Sequence, residues 1–133
     1  MRNMVRGAAV IAMLLAGCGG GGSVAAPVPD DGGVESHGAE LFQERVVGSV
    51  PGCVTCHSLD EGVTLVGPSL FGLADRAATR VPWLSADDYV RQSIVEPDAF
   101  VVPDFAAGQM AGGWAQVLSE TQVDSLITYL LEE

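Results

Sequence analysis

The stretch Cys53-Val54-Thr55-Cys56-His57 places two thiols and one imidazole within five consecutive residues of a 133-residue chain. A chain of this length fits one small domain, with or without a targeting segment. Two residues separate the cysteines, and the histidine follows the second cysteine directly. Thiol and imidazole groups this close together take part in metal binding, redox chemistry or covalent attachment. The stretch therefore predicts a chemical site, and the rest of the chain is interpreted around it.

Four kinds of site contain two cysteines at this spacing. Cys-x-x-Cys-His is the attachment pattern for c-type haem, because each thiol can add to one vinyl group while the adjacent histidine lies beneath the iron. A thioredoxin-like redox pair would require a preceding tryptophan and alternating strands and helices, and the sequence has neither. A zinc site would require further ligands, and outside the motif only His37 is left. A structural disulfide would close a very short ring. The sequence therefore favours one covalently bound haem.

Three segments after residue 33 have apolar residues at helical spacing. The first spans roughly Val34–Val47. The second begins after the N-cap Ser85 and stops near Pro97, and the third begins after Ser119, with Gln122 at the capping-box position. The apolar positions are Leu41, Phe42 and Val46 in the first segment, Tyr89, Val90 and Ile94 in the second, and Val123, Leu126, Ile127, Leu130 and Leu131 in the third.

The segments between these helices, 52–84 and 98–118, are rich in Gly, Pro and Asp, and neither shows a convincing strand pattern. Loops of this length inside a compact domain usually serve a function or surround a bound group. Aromatic residues make up only 6% of the chain, which is few for a small core without a cofactor. We therefore predict an all-α domain in which long loops enclose the haem.

The resemblance that follows from these residues is to the class I monohaem cytochromes c, and it covers about residues 34–133. Gly38 and Phe42 look like the Gly-x-x-x-aromatic pattern of that family's first helix, and Tyr129 lies where its last helix has an aromatic residue. The resemblance implies the small cytochrome c fold: three main helices and long loops wrapped around one covalently attached haem. It also implies that the first and last helices cross at Gly38.

The loop after the motif is similar to that family as well. Gly67-Pro68-Ser69-Leu70 matches the family's loop after the haem site. The resemblance implies that the Pro68 carbonyl accepts a hydrogen bond from His57, the proximal ligand, and that Leu70 packs on the haem ring. Such an acceptor fixes the tautomer of a ligating histidine.

Met110 is the predicted second axial ligand. It is the only methionine after residue 17 and lies in the glycine-rich stretch 108–113, after the second helix, where the family has its axial methionine. The family often has a proline after this methionine, whereas Ala111 follows it here. His37 is the rival ligand, and we expect it to be an exposed helix residue.

Four further side chains in the loop segments are candidates to meet the haem propionates: Arg76, Arg80, Trp83 and Trp114. Arginine offers paired donors to a carboxylate, and an indole N–H donates once. Solvated arginines and tryptophans that pack against the haem edge are the alternative, and the sequence does not separate the two.

The N-terminus has the composition of a targeting segment. Arg2 and Arg6 precede an apolar run over residues 8–15, about half of the roughly 20 residues that cross a bilayer. Leu15-Ala16-Gly17-Cys18 resembles the lipobox of bacterial lipoproteins, in which the cysteine is acylated. We expect a signal peptide over 1–17, lipidated Cys18 with a flexible linker over 18–33, and the folded domain over 34–133. A buried N-terminal helix is the alternative.

The charge of the chain narrows its partners. It has 17 acidic and 6 basic residues, a net charge of −11, and residues 18–133 retain only four arginines, which makes that part −13. So acidic a chain is a poor ligand for nucleic acid. We expect redox partners with a basic docking surface and no small-molecule substrate, although adaptation to a saline habitat explains the acidity equally well.

A haem with two protein ligands has no open position for a substrate, so the predicted function is outer-sphere transfer of single electrons and not enzymatic catalysis. Residues 89–99 and 118–122 resemble the cytochrome c domain of oxidase subunit II and the monohaem lipoprotein subunit of alternative complex III. The resemblance implies an exported, membrane-anchored lipoprotein, facing the periplasm or the outer face of the cytoplasmic membrane. It would carry electrons from a quinol-oxidising complex toward a terminal oxidase or reaction centre. The alternatives are a fixed subunit of such a complex and, if the Met110–iron bond is labile, a gas sensor or weak peroxidase.

Overall fold

The computed structural model describes residues 34–133 and the side chains of residues 37–133. The expected signal peptide, Cys18 and the linker lie outside the described residues. The described part is mostly helical, which is compatible with the predicted all-α class. In that part of the chain, none of the helices combines the length and the apolar character needed to cross a bilayer.

The elements follow one another with short connections, except for two long irregular segments before α2 and after α3. In chain order they are α1 (Val34–Gln43), β1 (Val46–Val47), β2 (Val50–Pro51), a 3-10 turn (Cys53–Thr55), α2 (Leu73–Arg80), α3 (Ala86–Val95), α4 (Trp114–Val117) and α5 (Glu120–Glu132).

The first and last helices cross at Gly38, as expected. A Cβ at residue 38 would lie 2.1 Å from the carbonyl oxygen of Ser125 and 2.7 Å from the Cβ of Tyr129, so only glycine lets the two backbones approach this closely. One turn further along α1, the rings of Phe42 and Tyr129 pack with their centroids 5.9 Å apart. The α1–α5 crossing therefore brings the beginning and the end of the described chain into one core.

The two predicted capped helix starts are confirmed. Ser85 Oγ accepts a hydrogen bond from the Asp88 N–H at the start of α3. Ser119 Oγ accepts from the Gln122 N–H, while Gln122 Oε1 accepts from the Ser119 N–H, which completes the capping box of α5. Helix α3 ends at Val95, ahead of Pro97, also as predicted.

The predicted end of the first helix at Val47 is wrong, because α1 ends at Gln43. Val46 and Val47 instead pair with Pro51 and Val50 in a two-stranded antiparallel sheet. Gly48, with a φ of +60°, makes the tight turn between these strands. Val46 is 61% exposed and so does not share the buried face of α1.

Helix α2 lies within the segment 52–84 that the sequence predicted to be a loop. Its buried residues Leu73 and Ala77 are one turn apart and pack into the core. The residue before it, Gly72, has a left-handed φ of +60° and supplies no side-chain cap. The second predicted loop, 98–118, contains the single-turn helix α4.

The core joins all the long helices. Its buried apolar residues are Phe42, Leu73, Ala77, Val81, Tyr89, Val90, Ile94, Trp114, Leu118, Val123, Leu126, Ile127 and Leu130. On the surface, the Arg91 guanidinium of α3 binds the carboxylates of Glu120, at 2.9 Å, and Asp124, both in α5. This pairing ties α3 to α5 beside the core.

Candidate functional site

A cavity opens between the helices and the two irregular segments. It contains about 1020 Å³ of space, counting its opening to solvent. Its walls include the three chemical side chains of the motif, Cys53, Cys56 and His57, together with Met110 from the second irregular segment. The helices contribute Phe42, Tyr89, Val90, Ile94, Leu126 and Leu130, and the irregular segments contribute Val66, Leu70, Phe100, Val101, Val102 and Phe105. The predicted ligands thus share one largely apolar cavity.

The local fold of the motif puts its thiols and its imidazole on the same wall. The carbonyl oxygen of Cys53 accepts hydrogen bonds from the backbone N–H groups of Cys56, at 3.1 Å, and His57, at 2.9 Å. Thr55 Oγ1 donates to the Gly52 carbonyl at 2.6 Å, which closes the same turn. A Cβ at Gly52 would stand 1.8 Å from the Glu44 carbonyl oxygen, so the chain can enter the turn here only as glycine.

Both motif cysteines are half-buried free thiols. Burial raises the pKa of Cys53; a backbone hydrogen bond offsets part of that rise, and the neighbouring Cys56 adds a smaller raising effect. The Cys53 sulfur is therefore protonated at neutral pH. Among the described residues, no three His, Cys, Asp or Glu side chains come together as a metal-binding group.

The His57 ring is neutral, and its Nδ1 is occupied by a hydrogen bond. Its Nδ1–H donates to the carbonyl oxygen of Pro68 at 2.8 Å, the hydrogen bond that the family resemblance implies. Burial lowers the pKa of His57, and the hydrogen bond to Pro68 offsets only part of that lowering. In this tautomer the lone pair is on Nε2, the atom that a metal would bind. A Cβ at Gly67 would lie 2.5 Å from His57 Cε1, so the loop can lie against the ring only with glycine there.

The loop that carries Pro68 is fixed at nearly every residue. The Gly67 N–H donates to the Cys56 carbonyl at 2.8 Å, and the Leu70 N–H donates to the Ser58 carbonyl at 2.8 Å. The Arg76 guanidinium, reaching back from α2, donates to the carbonyl oxygens of Ser69, at 2.6 Å, and Phe71. Leu70 lines the cavity, whereas Arg76 does not. Arg76 thus acts on the loop and not at the cavity wall.

The segment that carries Met110 has its own attachment. The Gly108 N–H donates to Asp98 Oδ1 at 2.7 Å, and Gly108 has a φ of +75° that suits glycine. Gln109 Oε1 accepts from the Ala106 N–H at 3.0 Å within the segment. Asp98 itself lines the cavity. Among the described residues of the lining it is the only Asp or Glu, and none of them is an arginine. Asp98 was not among the predicted site residues, and its only local signal in the sequence is its place after Pro97.

The other predicted contact residues are not brought together. Arg80 and Trp83 line a separate shallow depression, and Trp83 is 81% exposed. Trp114 is buried at the start of α4, and its Nε1–H finds no hydrogen-bond partner among the described protein groups. His37 is exposed on α1 and does not line the cavity, as expected.

The cavity walls taken from α3 and α5 were predicted only as core. Tyr89, Val90 and Ile94 were recognised by their helical spacing, as were Leu126 and Leu130. That spacing shows which face of a helix is inward, but it does not distinguish a packed core from the wall of a cavity.

The sequence matches no model of a known protein family, and no curated protein matches it either. The cavity and the side chains around it therefore carry the functional assignment.

Proposed function

We propose that this chain is a membrane-tethered c-type cytochrome that carries single electrons. In the proposal, residues 34–133 form a small cytochrome c fold around one covalently bound haem. Its place is between a quinol-oxidising complex and a terminal oxidase or reaction centre. The observation that carries the proposal is that Cys53, Cys56, His57 and Met110 line one apolar cavity, although Met110 is distant from the motif in sequence.

The side chains around the cavity fit the attachment of a haem. The Cys53 and Cys56 thiols would each add across a vinyl C=C bond: a C–S bond forms, and the thiol hydrogen goes to the neighbouring carbon, with no oxidant or reductant consumed. His57 Nε2 and Met110 Sδ would be the axial ligands. When bound, such a haem supplies a one-electron Fe(III)/Fe(II) couple.

The chain's own residues set the conditions for that couple. The hydrogen bond from His57 Nδ1–H to Pro68 fixes the ring's tautomer and orientation and increases the electron density at Nε2. A methionine thioether favours the ferrous state and raises the reduction potential. The apolar walls keep water away from the site, which limits the solvent rearrangement that accompanies a change of charge. Two protein ligands suit outer-sphere electron transfer better than substrate binding.

Trp114 does not line the cavity itself, but its buried indole N–H would fit the same cofactor if a propionate reached it. A buried N–H without an acceptor costs on the order of 1–3 kcal/mol, so proteins rarely leave one unpaired. The unpaired Nε1–H of Trp114, shortly after Met110 in sequence, fits an acceptor that the protein does not supply. A haem propionate is such an acceptor.

The proposed location and partners rest on charge and on the N-terminal sequence. Acylation of Cys18 would anchor the chain at the periplasmic or outer face of the cytoplasmic membrane. Residues 46–75, which contain the motif and the Pro68 loop, include no lysine or arginine. A partner with a basic docking surface would complement this region.

A fixed subunit of a larger complex, such as alternative complex III, is favoured by one specific observation. Four large apolar side chains within nine residues, Val63, Leu65, Val66 and Phe71, are 39–55% exposed. Exposed apolar groups this close together mark contact surfaces in many proteins. Native purification of the membrane fraction distinguishes the two candidate functions. A carrier should purify as a monomer, and a fixed subunit should purify together with its complex.

Absorption spectra of the oxidised and reduced protein test the proposal. We expect a c-type haem that stays attached to the denatured polypeptide and is lost when Cys53 and Cys56 are both replaced by alanine. Met110→Ala should change the ligand-field spectrum, and Cys18→Ser should release the protein from the membrane with its haem intact. A purified chain without haem would overturn the function, and an unchanged Met110→Ala spectrum would overturn the ligand assignment.

The gas-sensor and peroxidase alternative is tested with carbon monoxide. A tight His57/Met110 pair should resist carbon monoxide in the reduced protein at neutral pH, whereas a labile Met110 should yield to it readily.

A further inference from the structure

We propose that Asp98 is a positioning residue that holds the Met110 segment closed over the cavity through its hydrogen bond to Gly108. The inference rests on the proposed function, in which Met110 is an axial ligand. It adds to that function the side chain that determines how firmly the ligand is held.

The backbone at Asp98 is held in place by its neighbours. Asp98 follows the end of α3, in a turn closed by the Ala99 N–H donating to the Glu96 carbonyl at 2.9 Å. Helix α3 is held in the core by its buried residues Tyr89, Val90 and Ile94. A side chain anchored there can restrain a mobile neighbour without moving itself.

The bond that Asp98 makes is short and lies at the surface. Its Oδ1 accepts the Gly108 N–H at 2.7 Å, and both residues are exposed. Gly108 precedes Met110 by only two residues. The left-handed φ of Gly108 turns the backbone at the same point, so the bond fixes the approach of the chain to Met110.

Apart from this bond the segment is attached to the described part of the protein by apolar packing, since Met110 packs against the core, and not by further hydrogen bonds. The other hydrogen bonds described for residues 102–112 are internal: Phe105 N–H to the Val102 carbonyl at 3.2 Å, Gln109 N–H to the Ala106 carbonyl at 3.4 Å, and Ala106 N–H to Gln109 Oε1. Within the described part, the Asp98–Gly108 bond is the one hydrogen bond that ties this segment to another part of the protein.

The residue after Met110 gives no rigidity of its own. Ala111 leaves the backbone free to rotate, whereas a proline at that position would restrict it. A segment with a flexible ligand residue and a single external hydrogen bond should open measurably when that bond is removed. An external ligand for the iron binds in proportion to the fraction of open molecules, so its apparent affinity reports the opening.

Imidazole titration of the ferric holoprotein tests the role of Asp98, because imidazole competes with Met110 for the iron. We expect Asp98→Ala to raise the apparent affinity for imidazole about tenfold, a change equivalent to about 1.4 kcal/mol at 25 °C. Asp98→Asn retains an oxygen acceptor and should stay within about threefold of the natural protein. Glu96→Ala is the matched control: it removes an exposed carboxylate two residues away that bonds nothing in the segment, and it should change the affinity less than about twofold.

Hydrogen exchange of the Gly108 amide gives a second, independent measurement. We expect its protection to be lost in Asp98→Ala and kept in Asp98→Asn and Glu96→Ala. The proposed role of Asp98 is overturned if Asp98→Ala binds imidazole like the natural protein. It is also overturned if Glu96→Ala or Asp98→Asn behaves like Asp98→Ala, since loss of charge alone would then explain the effect. A natural holoprotein without a methionine–iron absorption band would instead overturn the proposed ligand set.

Discussion

Gly38 of α1 lies directly against Ser125 of α5, so that a Cβ on residue 38 would stand 2.1 Å from the Ser125 carbonyl oxygen. Real Cβ atoms do not approach an oxygen this closely. The obstacle is backbone, which cannot rotate away as a side-chain tip would. The contact therefore fixes both the distance between the two helices and the residue that must lie at their crossing.

Gly38→Ala should lower the free energy of unfolding of the holoprotein by about 1–3 kcal/mol, because the two helices must separate to make room. Alanine's higher helix propensity, worth up to about 1 kcal/mol, offsets only part of that loss. Urea denaturation measures it. Gly112→Ala is the control, since a Cβ there meets nothing within 4 Å and should change stability by less than about 0.5 kcal/mol. Equal stability of both variants would contradict the close approach.

Arg76→Gln should weaken the hydrogen bond between His57 and Pro68, although Arg76 does not itself contact His57. The Arg76 guanidinium donates to the Ser69 and Phe71 carbonyls on either side of Leu70, and this loop supplies the Pro68 acceptor. Without these donors we expect the His57 Nδ1–H to exchange with solvent at least several times faster, as NMR of the holoprotein would show. If His57 binds the iron as proposed, the reduction potential should shift as well, since an acceptor such as the Pro68 carbonyl tunes a ligating histidine.

Arg80→Gln is the matched control for that experiment. Arg80 lies one turn further along α2 and carries the same charge, but it lines the separate depression next to Trp83. If Arg80→Gln moved the exchange rate as much as Arg76→Gln, loss of positive charge and not loss of the loop contact would be responsible.

Trp114→Phe separates the two interpretations of this tryptophan. If Nε1–H donates to a propionate, the phenylalanine variant leaves more negative charge uncompensated near the iron, and the reduction potential should fall. The variant should also lose about 1–3 kcal/mol of holoprotein stability. Potentiometric titration measures the first effect, with the 81% exposed Trp83 changed to Phe as the control. A potential equal to that of the natural protein would leave Trp114 as a packing residue only.

Electron transfer should depend on salt with a sign set by the oxidant. Residues 18–133 carry a net charge of −13, so a cationic cobalt(III) complex should oxidise the reduced protein more slowly as ionic strength rises. Ferricyanide, an anion, should react faster under the same conditions. We expect a basic protein partner to follow the cationic complex. A flat or rising profile with the cation would refute steering and favour the saline-habitat explanation of the acidity.

The parts of the fold that sequence predicts well are those whose cause is local. Ser85 and Ser119 cap their helices through backbone groups three residues away, so each cap is visible in a few consecutive letters. The same holds for the motif, whose turn is closed by hydrogen bonds to the carbonyl oxygens of Gly52 and Cys53 from groups three or four residues further on.

The errors have the opposite cause. Helix α2 was missed because it begins after a glycine without a capping side chain and buries only Leu73 and Ala77, too few for an apolar period to stand out. The first helix was extended too far because Val46 continues the apolar strip of Leu41 and Phe42 at helical spacing. Only the pairing of Val46 and Val47 with Val50 and Pro51 shows that the chain has turned.

The candidate site combines features with local causes and features with distant ones. Cys53, Cys56, His57 and Met110 were found by residue type and spacing, and the structure places them on one cavity. The side chains that hold their loops, Arg76 and Asp98, act on backbone groups five to ten residues away. Nothing in the letters of a loop shows which carbonyl or amide a distant side chain will reach.

The α1–α5 crossing also fixes the order in which a growing chain can complete its core. Helix α5 is made after every other described element, so α1 lacks the helix that it packs against until those last residues are available, and stable closure must wait for them. Until then Cys53 and Cys56 belong to an unfinished, accessible polypeptide. If a haem is attached as proposed, the enzyme that attaches it has this interval to reach both thiols, and the arrival of the last helix ends the interval.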